Sequence, residues 1–532
     1  EPEVERQLAV LRAEHATLRP DEIKVIDPCM GSGHILVYAF DVLMQIYESA
    51  GWSQRDAAAS IVQKNLYGLD IDSRAAQLAY FAVMMKARQY DRRFLTRGIQ
   101  PNLYAPEGYA DGREFGSLLM VETLEPRPEP TEELSLFEES YEHQLNTWNF
   151  RRLLAQKYDV VVTNPPYMGS SGMSAVLSEF VKKRFPDSKS DLFACFIERC
   201  GSLACEGGYQ AMITQHSWMF LSSFEKLRDK LLRTVDIENM AHLGARAFDE
   251  IGGEVVQTTS FVFRRHRTEH SKGVYCRLIE PTTQQGKEEM FLAGENRYAA
   301  DQSNFSKIPG SPVAYWVSKG ILTAFDNGTV SDAAHPRQGM STCDVNRFSK
   351  LWFEVEMWKT NIQNPQNISA WVKYNKGGGF RKWYGNREYV VFWGENGADL
   401  LDNGALLRNR DVYFQKFLAW SKISSAGTGF RIFENGFLVD GAGGSLFLEN
   451  GCISPLYLLG LLNSNVIAMV LRLTSPTLNF NENHIGSIPL IRSCNSESER
   501  NITDIVASCI SMSKEDWDSY ETSWDFKRHP LI

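Results

Sequence analysis

The feature that most constrains this chain is a local pattern that occurs twice near its N-terminal end. A short apolar run at residues 23–26 stops at Asp27 and passes through Pro28-Cys29-Met30-Gly31-Ser32-Gly33-His34 into an apolar stretch with helical character at 35–49. After a second helical stretch at 53–65, another apolar run at 66–69 stops at Asp70, and Ile71-Asp72 leads into a helix expected over 73–90. Strands that alternate with helices in this way lie parallel, with the helices as crossovers. The alternation resumes with a strand at 158–163, a helix at 191–203 closed by Gly207-Gly208, a strand at 209–214, a helix at 223–233 and strands near 236–243 and 258–263. It stops near residue 270. The pattern predicts an α/β core over 20–270. Residues 101–147, rich in Pro, Gly and Glu, read as a solvated insertion.

The remaining segments follow from texture. Residues 1–19 are expected to be a helical remnant, 271–329 a linker, 330–495 a β-rich second domain with many Trp, Gly and Asn, and 496–532 a C-terminal extension. A start at Glu1 rather than Met suggests a fragment of a longer chain. The formal net charge of −9 gives no global support to nucleic-acid binding, so any such surface must be local. Nine cysteines without a CxxC pair match neither a zinc site nor a disulfide framework, and read as reduced thiols of a cytoplasmic protein that needs no metal. The longest apolar stretch, 456–473, contains Asn463, Ser464, Asn465 and Arg472, so no membrane span is expected.

Several places carry chemistry. Gly31 and Gly33 allow positive φ and close approach of a ligand to the backbone. The helix N-terminus behind them favours a carboxylate such as that of S-adenosylmethionine. Asp27-Pro28 precede this turn, and a tight turn without a ligand is the plainer alternative. Asp70 is placed to accept both hydroxyls of a ribose, with Asp72 as second choice, although either could simply cap the next helix. Asn164-Pro165-Pro166-Tyr167 follows the strand at 158–163. Two prolines remove backbone donors and stiffen the loop, leaving the Asn164 amide oxygen and the Pro165 carbonyl as fixed acceptors. Two acceptors on one amine hold both of its hydrogens and aim its lone pair at a methyl donor, which is chemistry of positioning. Tyr167 offers a flat face to an aromatic ring. An adenine within a duplex cannot reach such a site, so it would have to be flipped.

Phe248 could close the other face of that base, or be a core residue at a strand end. Phe193, in the helix opened by Asp191, could line the cofactor pocket, or equally be core. Between Trp371 and Trp393, Lys373, Lys376, Arg381, Lys382 and Arg387 alternate with aromatics against the single acid Glu388. Phosphate contact there would offset the acidic total. A solvated β-hairpin is the alternative.

The order of these motifs resembles amino-DNA methyltransferases of the gamma arrangement, strongly over about 20–270 and loosely over 330–490. The Asp27–His34 turn, Leu69-Asp70-Ile71-Asp72 and Asn164–Tyr167 followed by Ser190-Asp191-Leu192-Phe193 look most like the adenine-specific methyltransferases of BREX phage-exclusion systems. Type IIG and type I restriction-modification methylases are neighbours. The resemblance implies a Rossmann-like class I S-adenosylmethionine-dependent core with a β-rich target-recognition domain. It implies cofactor contacts from Asp27, Gly31, Gly33 and Asp70, capture of the target amine by Asn164 and Pro165, and a base held between Tyr167 and Phe248. The implied partners are double-stranded DNA and other subunits of a defence system. Two family features are missing. No Thr/Ser-Pro segment lies within 1–19, and Phe115-Gly116-Ser117-Leu118-Leu119 has no acid for the cofactor's adenine. Two other functions share the motif: glutamine methylation in proteins, and a catalytically silent DNA-sensing subunit.

Overall fold

Asp27, Asp70 and Asn164 each follow a short strand, and a computed structural model of the chain places those strands in one sheet. The structure describes all residues except 1, 107–114, 131–140, 249–255, 367–369, 425–426, 450, 475–478, 493–494, 530 and 532. It divides into two units, Glu1–Ser306 with Gly310–Trp316, and Lys307–Pro309 with Val317–Ile532.

In the first unit, α1 (Pro2–Ala16) precedes β1 (Val25–Asp27), α2 (His34–Ser49), α3 (Gln54–Ser60), β2 (Leu66–Leu69) and α4 (Ser73–Tyr90). Then come β3 (Asn102–Tyr104), α5 (Tyr141–Ala155), β4 (Tyr158–Thr163), α6 (Ala175–Arg184), α7 (Leu192–Leu203) and β5 (Ala204–Gln215). The unit continues with α8 (Glu225–Thr234), β6 (Asp236–Gly244), β7 (Thr258–Arg264), β8 (Lys272–Arg277), α9 (Gln284–Ala293) and β9 (Arg297–Asp301). The nine strands lie in the order β3-β2-β1-β4-β5-β7-β6-β8-β9. β1 to β5 pair in parallel, and β7 enters antiparallel between β5 and β6. β1 and β2 are buried along their whole length, which is why they read as unbroken apolar runs. The chain winds from β1 outward to β3, then returns to β4 on the other side of β1. Ligands of such sheets bind at the carboxyl ends of the strands flanking that reversal, and here those ends are Asp27 and Thr163.

Three boundaries differ from expectation. Residues 271–329 are not a linker throughout, because β8 pairs with β6, and β9 with β8, extending the sheet. The stretch 101–147 is not wholly an excursion, because β3 pairs with β2, and Ser117 and Leu118 are buried. Gly207-Gly208 does not close a helix but lies within β5, where a side chain at Gly208 would sit 3.0 Å from the Asp159 carbonyl.

The second unit holds β10 (Ala334–Arg337), β11 (Ser349–Leu351), β12 (Trp371–Asn375), β13 (Tyr389–Phe392), β14 (Phe417–Ser421), β15 (Phe430–Phe433), β16 (Phe437–Val439) and β17 (Gly443–Leu448). They form two four-stranded sheets, β10-β17-β14-β15 and β11-β13-β12-β16. The helix Ser496–Asp518 belongs to this unit's core rather than to an extension. Val506 is buried, and a side chain at Gly460 of the Pro455–Leu462 helix would meet it at 2.8 Å. Among the described residues no single helix is long and apolar enough to cross a membrane, and no group of His, Cys, Asp and Glu could hold a metal.

Candidate active site at the reversal of the sheet

The turn after β1 is built by backbone bonding. Met30 N donates to Leu69 O at 3.0 Å, and Gly33 N donates to Met30 O at 2.8 Å. The two glycines do different work. Gly31 has φ +51°, and a side chain there would meet nothing within 4 Å, so this side of the turn is open. Gly33 has φ +85°, and a side chain would lie 2.9 Å from Cα and Cβ of Ala79. Its absence of a side chain lets α2 approach α4 closely, the helix-packing role of a glycine in such turns.

Asp27 is fully buried, and its Oδ1 accepts from Cys29 N at 3.0 Å. Burial pushes its carboxyl up to about 7, against the Thr163 hydroxyl and the Cys29 amide, which favour the charged form. Asp70 Oδ2 accepts from Gly31 N at 2.9 Å, and Oδ1 from Asp72 N at 2.8 Å. It therefore joins the first turn to the second and stays partly exposed. Asp72 instead caps α4 through Arg74 N at 2.8 Å, and its side chain is exposed.

A cavity of about 410 Å³ runs from Pro28, Cys29, Asp70 and Ile71 to Asn164, Pro165 and Pro166. It is also lined by Phe115, Gly116, Ser117 and Leu118 with Leu177, Leu192 and Phe196. Of the stretch Phe115–Leu119, where the sequence offers no acid for a cofactor's adenine, Phe115 to Leu118 line the cavity. Ser117 Oγ donates to Pro28 O at 2.6 Å. Arg199, almost fully buried in α7, donates to Ser117 O at 2.9 Å, Leu119 O at 2.8 Å and Leu154 O at 3.1 Å. Burial lowers this guanidinium to about 10, still charged at neutral pH. The available signal is that Arg199, the one cation in the apolar sequence Leu192–Leu203, sits beside a single acid, Glu198. Phe115 stacks on Phe180 of α6, with centroids 4.1 Å apart.

At the other end of the cavity, Asn164 and Pro166 are exposed and Pro165 is buried. Tyr167 is half-buried, and its hydroxyl donates to Asn164 Oδ1 at 3.2 Å and Ile213 O at 3.4 Å. Burial pushes that hydroxyl up to about 12, so it is neutral. The loop is clipped to the start of α7. Asp191 Oδ1 accepts from Met168 N at 3.0 Å and from Phe193 N at 3.4 Å, and Leu192 N donates to Met168 O at 3.0 Å.

Phe193 does not line the cavity. It is fully buried, edge-on to Tyr167 at 6.2 Å, and the wall positions go to its neighbours Leu192 and Phe196. Phe248 is half-buried in the connection between β6 and β7, and residues 249–255 beside it lie outside the described residues. Among the described residues no ring contact joins Phe248 to Tyr167. At the end of β5, His216 Nδ1 lies 2.8 Å from His242 Nε2, and His242 Nδ1 lies 3.2 Å from the Tyr315 hydroxyl. Burial lowers these histidines to about 4 and about 3.

In the second unit the basic stretch is largely occupied internally, which corrects the expectation of five phosphate contacts. Arg387 is buried, pairs with Glu434 at 2.5 Å, and lies 3.9 Å from the Tyr384 ring centroid. Lys373 lies 3.7 Å from Glu434 and 4.7 Å from the Phe437 ring centroid. Arg381 pairs with Asp516 at 2.8 Å. Lys382 donates to Asn463 O at 2.9 Å, and Lys376 lies over Tyr389.

Residues 64–248 match the family of Eco57I restriction-modification methylases. The whole chain aligns with the adenine-specific methyltransferase PglX of Lacticaseibacillus casei (strain Zhang) at 39% identity, over 49% of that protein. It aligns likewise with the adenine-specific methyltransferase BrxX of Escherichia coli O9:H4 (strain HS) at 36% identity, over 48% of that protein. The chain thus spans about half the length of these curated relatives. Among solved structures, the Type IIL restriction-modification enzyme MmeI in complex with DNA matches 97% of this chain and 68% of its own, with TM-score 0.54 and 12% identity. A nuclease-deletion mutant of the Type ISP enzyme LlaGI, with a DNA substrate mimic, matches 95% of this chain and 45% of its own, with TM-score 0.53 and 12% identity. At such identities the structures speak for the fold.

Proposed function

We propose that this chain, which aligns along its whole length with about half of the PglX and BrxX adenine-specific methyltransferases, transfers a methyl group from S-adenosylmethionine to N6 of adenine in DNA, as part of a BREX or restriction-modification defence system. The observation that carries this reading is one cavity with Asp70 at one end and Asn164-Pro165-Pro166 at the other.

The cavity suits the donor. Its volume of about 410 Å³ lies within the range of small-molecule sites. Gly31 leaves open space, and Gly116 in the wall has no side chain to fill the cavity. Asp70 has lone pairs left for ribose hydroxyls after its two backbone bonds. Asp27 lies buried under the turn, next to the helix N-terminus that would hold the methionine part. Phe115, Ile71 and Leu177 form apolar walls for a flat base. When bound, S-adenosylmethionine supplies an electrophilic methyl group on a sulfonium.

The rest follows from the chain's own groups. The Asn164 amide oxygen has two lone pairs, and the Tyr167 hydroxyl occupies one of them. The other can accept from a substrate amine, as can the Pro165 carbonyl. Holding both amine hydrogens takes the nitrogen lone pair out of conjugation with the purine ring. Because both prolines lack an N–H, no backbone donor competes at that point. The target ring, flipped from the duplex, stacks on Tyr167, whose own ring is braced by Phe193.

The test is transfer of labelled methyl groups from S-adenosylmethionine, with the wild-type chain and Asn164→Ala, to unmethylated duplex DNA. Label at adenine N6 that vanishes in the variant is the expected result. Label in protein instead of DNA would sink the reading in favour of glutamine methylation. Cofactor binding without transfer, with partner subunits present, would sink it in favour of a DNA-sensing role.

A further inference from the structure

The β12–β13 connection holds an aromatic ring in water on a backbone with little freedom. Gly377 and Gly378 have φ of +90° and +108°, a region in which side chains are strained. A side chain at Gly378 would come within 2.9 Å of the Asn386 amide. Three buried side chains hold the backbone of three successive glycines. Gly377 N donates to Asn375 Oδ1 at 3.3 Å, Ser421 Oγ donates to Gly378 O at 2.7 Å, and Asn386 Nδ2 donates to Gly379 O at 2.8 Å. The next residue, Phe380, is 44% exposed. It edges past Gly429, which has no side chain to cover it.

The charge around this ring sets it apart. Lys376 and Lys382 flank it in sequence, and neither is ion-paired among the described residues. Lys376 Nζ lies 4.5 Å from the Tyr389 ring centroid, and Lys382 donates to the Asn463 carbonyl, so neither is paired with a carboxylate. The unit's other strongly exposed aromatics are Phe353, Trp358 and Tyr520; Phe353 and Tyr520 each precede a glutamate, Glu354 and Glu521, and Trp358 has Glu356 two residues before it and Lys359 over its ring. A rigid loop that presents an apolar ring between cations fits a stacked, anionic polymer better than an apolar protein face.

We propose that Phe380 is a wedge that enters a base-pair step of duplex DNA, with Lys376 and Lys382 meeting the phosphates beside it. The inference rests on the DNA reading above. Inserted apolar side chains unstack a step and bend the duplex, and stacking on an aromatic ring compensates in a sequence-tolerant way. Pre-ordering by Asn375, Ser421 and Asn386 means that the ring is already extended before DNA arrives, so little ordering cost falls on binding.

The experiment measures affinity for short mixed-sequence duplexes across a salt series, together with end-to-end energy transfer across the duplex, for wild type, Phe380→Ala, Phe380→Leu and Lys376→Ala. Melting temperature and S-adenosylmethionine binding serve as folding controls. Phe380→Ala should weaken DNA binding at least about tenfold, straighten the duplex and leave the salt slope unchanged, and Phe380→Leu should keep most of the bend. Lys376→Ala should instead lower the slope by about one. Wild-type affinity and an unchanged bend in Phe380→Ala would overturn the wedge while leaving the DNA reading intact. A wild-type chain that binds cofactor but no duplex would overturn both.

Discussion

The cavity of the first unit and the basic stretch of the second make an instructive pair. Both were marked by residue type and spacing. In the first, Asp70, Asn164, Pro165 and Pro166 still face open space once folded. In the second, Arg387 and Lys373 turn inward onto Glu434 and an aromatic cluster. The cause is where each side chain finds its partners. At the ends of parallel strands the loops point away from the sheet, and nothing beyond them competes for their side chains. On a small β-sheet, a long cationic side chain can reach aromatic faces and acids distant in sequence, and bury its stem there.

The comparison can be broken at several points. Asn164→Ala should cost the most, lowering methyl transfer by about 10²–10³ with cofactor affinity within about twofold of wild type. A comparable loss of cofactor binding would mean that Asn164 builds the pocket instead. Asp191→Ala leaves Met168 N without its acceptor and uncaps α7. It should lower kcat by about tenfold to a hundredfold, and Asp191→Asn, whose amide oxygen still accepts, should recover most of it. Failure of that rescue would assign the effect to charge.

Arg387→Ala should lower stability by about 2–3 kcal/mol in chemical denaturation, short of the loss for a fully buried pair because Glu434 can regain water. An unchanged midpoint with weakened DNA binding would restore Arg387 as a phosphate contact. The His216–His242 pair should make stability fall between pH 7 and pH 5. The unfolded chain takes up protons near the ordinary 6.5, while the folded pair resists until about 4 and about 3. Melting scans in that window check the sign, and His216→Gln should flatten the slope. The smallest effect is the stability change in Lys376→Ala, within about 0.5 kcal/mol, because this side chain is partly exposed and makes no ion pair among the described residues.

The parallel core could be read in advance because β1, β2 and β4 are short and mostly apolar, with Asp159 the one charge inside β4, and each leads to a residue with a local reason to be there. What escaped were partnerships across distance. Asn102–Tyr104 looked like loop because three residues give too short a run to show a period, yet it pairs with β2. The wall at Phe115–Leu118 carried no acid and no motif, and its place is set by Arg199, more than eighty residues later in sequence. Phe193 and Phe196 lie on the same apolar helix, and only rotation about its axis decides which meets the cavity. The β8–β9 extension was missed because a Lys-Gly start and an Arg-Tyr-Ala-Ala-Asp strand do not alternate cleanly.

Helix α7 has a consequence for tolerance to motion. Its N-cap, Asp191, holds the 164–168 loop, and its third turn holds the 115–119 segment through Arg199. Eight residues of helix separate these two fastenings by about 12 Å. The proposed donor and acceptor sites are thus gauged from one rigid rod, not from two loops that could drift apart. A slide or tilt of that rod carries both ends of the cavity together, so in the proposed reaction the gap that a methyl group would cross is buffered against thermal jostling of the surrounding frame.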